Sequence, residues 1–170
     1  INVKSVQSNV ASDFAIVELE RPFSVSYAAK IASREAYANE DVFIVGFPKT
    51  VQQGGLGWAV ATGKAYGKSI DGGILSAFDL DVYSGFSGSP IFNSNGEVVA
   101  VLSGSNSADF VNGGNLRTPW YQKNNQIANT VGDTVNGLSA MGVSHSVITS
   151  FMASKGIANV AGGNSSLPTN

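Results

Sequence analysis

The sequence predicts an all-β protein closed by a single helix, on three observations. Short apolar or alternating runs recur between turn residues at Asp41–Phe47, Trp58–Tyr66, Ile74–Leu80, Ile91–Asn93 and Glu97–Leu102, the strand pattern. Asn95-Gly96 separates the last two of these, a strong hairpin signal. A helical apolar stripe with start and stop signals occurs only near the end, at Ile148, Phe151 and Met152.

In chain order, residues 1–6 carry a partial alternation and Gln7 to Ala11 reads as a polar loop. Asp13 then opens a strand in which Ala15, Val17 and Leu19 share one face, and Arg21-Pro22 ends it. Tyr27 to Asn39 is ambiguous by residue type, since alanine favours helix. Asp41 to Phe47 is a buried strand closed by a turn at Gly46-Phe47-Pro48-Lys49, and Gln52 to Gly57 is a glycine-rich loop. Gly57 to Lys64 superficially suggests a phosphate loop. It fails on the spacing of its glycines and on Ala65, where Ser or Thr should bind Mg²⁺. Trp58–Tyr66 and Ile74–Leu80 pair through Asp71-Gly72-Gly73. Gly104 to Asn136 is polar and too long for a simple connector. Leu138 to Val143 gives a last strand, Ser144 a helix N-cap and Gly156 its stop. The end of the chain is a loose tail.

Composition narrows the class. A chain of 170 residues fits one domain and can bury roughly 70% of its unfolded surface. Net charge is −2, with charged residues at only 13%, so there is no basic footprint for nucleic acid. No apolar run reaches the ~18 residues of a membrane helix. The opening Ile1-Asn2-Val3 lacks the features of a signal peptide; a targeting segment, had there been one, is expected to be gone. Cysteine is absent, which excludes disulfides and thiolate metal sites. No cofactor motif occurs. Asn164-Ser165-Ser166 fits a glycosylation acceptor, a triplet that chance also produces.

The chemistry concentrates in Asp81-Val82-Tyr83-Ser84-Gly85-Phe86-Ser87-Gly88-Ser89-Pro90. Ser87 sits among glycines that let the chain turn tightly and bring its own N–H groups close to a ligand. Acyl transfer needs that geometry: an exposed hydroxyl beside donors aimed at an oxyanion. Taken alone, Gly85 to Pro90 reads more readily as a glycine-serine turn in a β protein than as a site. A second stretch, Ser12-Asp13-Phe14-Ala15-Ile16-Val17, places a carboxylate at the mouth of an apolar strand.

With Val45-Gly46-Phe47-Pro48 between them, these stretches resemble chymotrypsin-like serine endopeptidases. The cysteine-free bacterial branch, with Gly-x-Ser-Gly-Ser-Pro at the nucleophile, is the nearer match. The resemblance covers about Ile1 to Ile157. It implies a two-barrel fold: residues 1–40 as the remainder of the first barrel with a connector, 41–158 as the second barrel with its closing helix, and 159–170 as a flexible tail. A short strand near Tyr27 to Ile31 is implied as well. Carried over, Asp13 orients the catalytic imidazole, Ser87 is the nucleophile, and the N–H groups of Gly85 and Ser87 form the oxyanion hole. The triad order His, Asp, Ser puts the His roughly 45 residues before Asp13, ahead of Ile1. The partner expected is therefore an N-terminal fragment or companion chain carrying that His, alongside a polypeptide substrate, with neither nucleic acid nor membrane involved. A secreted or periplasmic setting is implied.

The resemblance also assigns weaker roles. Ser103 matches the serine that holds the triad Asp, or is a plain strand-end serine. Ser103-Gly104-Ser105 would be the edge along which substrate backbone pairs. Asp81 falls at the base of the primary pocket, where it would select Lys or Arg, although relatives of other specificity carry it too. Leu102 stands where a Glu-specific subgroup has His. Trp120 and Tyr121 wall the cleft or cover the barrel, covering being favoured. Phe86 departs from the family, which has a polar residue before the nucleophile; it cannot accept a salt bridge from an activating terminus, so packing must hold the loop. His145, the sole His, sits at the helix start, expected behind the barrel as a surface or cap residue and not as the base. The alternative function is a catalytically inactive, protease-like binding module.

Overall fold

A computed structural model describes residues 1–22, 28–47, 58–80, 82, 85–105 and 140–158. The first two strands, β1 (Val3–Asn9) and β2 (Phe14–Leu19), form a two-stranded antiparallel ribbon. Six more follow: β3 (Asp41–Gly46), β4 (Ala59–Ile70), β5 (Leu75–Asp79), β6 (Pro90–Asn93), β7 (Val98–Ser105) and β8 (Ala140–Ser144). They close into an antiparallel barrel in the order β3-β4-β5-β8-β7-β6, which leaves no free edge. Helix α1 (His145–Ser154) leaves directly from β8.

The barrel follows from alternation. In β3, Val42, Ile44 and Gly46 face inward and Asp41, Phe43 and Val45 outward. Ile44, Leu75, Phe78, Ile91 and Val143 are buried. Gly63 on β4 is required by close approach, since a Cβ there would collide with the backbone carbonyl of Asp79. Asn93 organises the predicted hairpin: its Oδ1 accepts the N–H groups of Asn95 and Glu97 at 3.0 and 2.9 Å, and Gly96 adopts φ 73°.

Three expectations change. On β2 the inward residues are Phe14, Ile16 and Leu19, while Ala15 and Val17 are exposed. Phe14 decides this, packing edge-on against Phe151 of α1 with ring centroids 5.9 Å apart. The polar stretch after residue 6 remains strand as far as Asn9, because Gln7, Ser8 and Asn9 pair with Ile16, Ala15 and Phe14 through backbone groups that are indifferent to side-chain polarity. Where a strand near Ile31 was implied, there is a single parallel bridge between Ile31 and Val98.

The connector after that bridge is fastened by side chains: Arg34 donates to Glu40 at 2.7 Å and lies over the Tyr37 ring. Ser144 does occupy the N-cap position, but its hydroxyl donates to the Gly73 carbonyl at 2.6 Å. The Ser146 N–H is accepted by Glu35 Oε1 at 2.9 Å, so a distant carboxylate does the capping. Gly156 ends the helix at φ 69° as expected. The turn at Pro48-Lys49, the loop Gln52 to Gly57, Tyr27, Trp120, Tyr121, the long segment from residue 106 to 139, the tail 159–170 and Asn164 lie outside the described residues. Among the described residues, no helix is long and apolar enough to cross a membrane.

Candidate active site

The Ser87 loop enters β6 from a turn built on two glycines, Gly85 at φ 103° and Gly88 at φ 82°, a left-handed region that a side chain would strain. The Ser89 N–H donates back to the Phe86 carbonyl at 2.9 Å, closing the turn. Two further bonds clamp it to β7: Gly88 N–H to Leu102 O and Leu102 N–H to Ser89 O, both 2.8 Å. Among the described residues, no hydrogen bond engages the N–H of Gly85 or Ser87. Phe86 points into the core while Gly85 and Ser87 stay exposed.

Asp13 lies at the tip of the β1–β2 hairpin with φ 54°. Aspartate tolerates this left-handed conformation better than most residues, and the turn is closed by Asp13 N–H to Val10 O at 3.3 Å. Its carboxylate turns toward the barrel, where Oδ2 accepts the Ser103 hydroxyl at 2.9 Å. Ser103 is 3% exposed. It occupies a register shift in β7, since Leu102 pairs with Gly142 and Gly104 already with Met141. This extra residue breaks the alternation, with its hydroxyl directed to Asp13.

Asp13 and Ser87 thus open on one crevice of about 530 Å³, walled by Phe14, Ala15, Gly88, Val101, Leu102 and Ser103. Gly104 is buried beside it, and Ser105 ends β7 opposite Ala140. Asp81 lies outside the described residues. Phe14, Ala15 and Val101 are walls that sequence reasoning missed; as ordinary strand residues they carry no chemical signal, and only the docking of the ribbon on the barrel brings them here.

His145 is not among the crevice walls. Its Nε2 sits 2.6 Å from the Ala32 carbonyl oxygen. A carbonyl only accepts, so Nε2 carries the proton and is committed to the connector. No group of His, Asp and Glu among the described residues is arranged to hold a metal ion. A carboxylate fixed by a buried hydroxyl and an exposed serine on a glycine loop, sharing one crevice, are two of the parts that general-base-assisted acyl transfer uses.

A family model described as a trypsin-like peptidase domain matches residues 1–101. That span contains Asp13 and Ser87 and runs from β1 into β7. No curated protein is matched by the chain.

Proposed function

This chain belongs to the trypsin-like peptidase family, and from that premise we propose that it is a serine endopeptidase whose acyl-enzyme forms on Ser87. The observation that carries the reading is the shared crevice of Asp13 and Ser87. An imidazole supplied by an N-terminal segment or a companion chain sits between them, with one nitrogen toward Asp13 and the other toward Ser87. It takes the Ser87 proton as Oγ attacks the peptide carbonyl, and the Asp13 carboxylate holds the tautomer and stabilises the imidazolium. The N–H groups of Gly85 and Ser87 receive the oxyanion. The imidazolium then gives its proton to the leaving amine, and water attacks the acyl-enzyme through the same base. Ser103 fixes Asp13. The backbone of Ser103, Gly104 and Ser105 pairs with substrate, and Asp81 favours a basic residue in the primary pocket. A secreted or periplasmic setting belongs to the same reading.

The ribbon supports the second polypeptide. Val6 is 59% and Val17 52% exposed, and a two-stranded sheet with apolar residues outward gains from a further strand laid against it.

A fluorophosphonate probe tests the reading. Labelling of Ser87 when the His-bearing segment is present, lost in Ser87→Ala, is the expected result. The second reading, a binding module, is favoured by the commitment of His145 to Ala32. Absence of label with that segment present would support it instead.

A further inference from the structure

Phe86 stands between two exposed residues, Gly85 and Ser87, yet is itself only 2% exposed. Its ring belongs to the barrel core with Ile44, Leu80, Ile91 and Leu102. The space it fills is opened by Gly46 at the end of β3: a Cβ there would stand 2.8 Å from Phe86 Cδ1 and collide with Ser89 Oγ. The φ of Gly46 is not in the left-handed region, so this glycine is needed for room and not for backbone freedom. An absent methyl on β3 and a ring on the loop make one packed unit. Interiors packed at crystal density do not yield to such a ring without moving its backbone.

We infer that Phe86 is the positioning residue of the nucleophile loop: its ring, seated over Gly46, holds Ser87 Oγ and the N–H groups of Gly85 and Ser87 in place by packing, alongside the two backbone bonds that clamp Gly88 and Ser89 to β7. A phenyl ring accepts no salt bridge, so Phe86 itself can act on the loop only through packing. The consequence for rate rests on the serine-peptidase reading; the consequence for loop order does not.

Two measurements on the full chain, combined with its His-bearing segment for kinetics, test this. Amide exchange should show Gly88 and Ser89 protected in the unaltered protein. They should remain so in Phe86→Leu and lose protection by about 10-fold or more in Phe86→Ala, while Ile44 and Ala100 keep theirs. In parallel, kcat should fall about 100-fold in Phe86→Ala, the scale of a lost oxyanion donor, with KM little changed and most of the rate restored in Phe86→Leu. Should Phe86→Ala fail to fold, Gly46→Ala pushes the ring from the other side and should produce the same local loss. Unchanged protection at Gly88 and Ser89, or an equal loss throughout the barrel, overturns the inference. If the unaltered protein takes no fluorophosphonate label, the peptidase reading falls while amide exchange still decides the role of Phe86.

Discussion

The ribbon and the barrel are built from the same residue types and treat them in opposite ways. In the barrel Ile44, Leu75, Ile91 and Val143 are wholly enclosed, whereas on the ribbon Val3, Val6, Val10 and Val17 face outward. Closure makes the difference. Six strands joined in a ring have an inside and no unpaired edge, but two strands have only faces. The candidate site straddles the two. Ser87, the proposed nucleophile, is rooted in the closed barrel, by Phe86 in the core and two backbone bonds to β7. Asp13 rides on the tip of the two-stranded ribbon, held to the barrel by Ser103. Chemistry that needs both depends on the joint between them more than on either alone.

Asp13→Asn tests the ribbon's chemical share. It should lower kcat/KM by about 10⁴-fold, the effect of leaving the imidazole in the wrong tautomer. Asparagine keeps an acceptor for the Ser103 hydroxyl, so the loss should be about 1 kcal/mol, the difference between a hydrogen bond to a charged group and a neutral one, and the thermal midpoint should fall by only about 2–4 °C. A large loss of stability would mean that the tip is structural, and the contrast between the regions would blur.

Gly63→Ala against Val17→Ala tests the structural half. The new methyl at position 63 meets the backbone of Asp79 and should destabilise by about 3 kcal/mol, the upper range of overpacking. That lowers the midpoint by about 6–12 °C for a chain of this size. Val17→Ala, on the open face, should stay within about 0.5 kcal/mol. Equal shifts in the two denaturation curves would show that the outward valines are enclosed after all.

Ser103→Ala addresses the joint itself. Removing a hydrogen bond to a charged group costs about 1.5–3 kcal/mol, so probe labelling should slow by about 10- to 100-fold. Ser103→Thr, which keeps a hydroxyl, should recover part of it. Labelling at the normal rate in Ser103→Ala would detach the barrel from the placement of Asp13.

The barrel was largely legible because its signals are local: inward Val42 and Ile44, the Asn95-Gly96 turn, the stripe of α1. Asp13, Ser87 and Ser103 were legible through the spacing of a known family, not through residue type. The ribbon's inward face was misread, since alternation alone gives two equivalent faces and only the contact of Phe14 with Phe151 chooses between them. Capping of α1 by Glu35 was also out of reach. Ser144 satisfies the local rule, and nothing near residue 145 announces a carboxylate arriving from the connector. The core position of Phe86 was anticipated only as a need for packing; its partner Gly46 emerges from three-dimensional proximity.

The smallest effect lies in the connector that links the two regions. Glu40 receives Arg34 Nη1 at 2.7 Å and Nη2 at 3.1 Å, and the Tyr37 N–H at 2.8 Å. Hydrogen bonding from Arg34 holds its carboxyl below the usual 4.5, against the opposing effect of partial burial, with the Tyr37 N–H adding to the lowering. A carboxyl whose folded pKa is depressed stabilises the fold above its unfolded value, and the contribution fades as pH falls through the folded one. Glu40→Gln should therefore lower the midpoint at neutral pH by about a degree, as for a partly exposed ion pair. The gap from the unaltered protein should narrow from about pH 4.5 downward and vanish below the depressed pKa. Because Arg34 is 39% exposed, added salt should shrink the neutral-pH gap as well. A gap that instead widens on acidification would mean that Glu40 is stabilised in its protonated form, and the connector would then be held by packing of Arg34 on Tyr37 and not by charge.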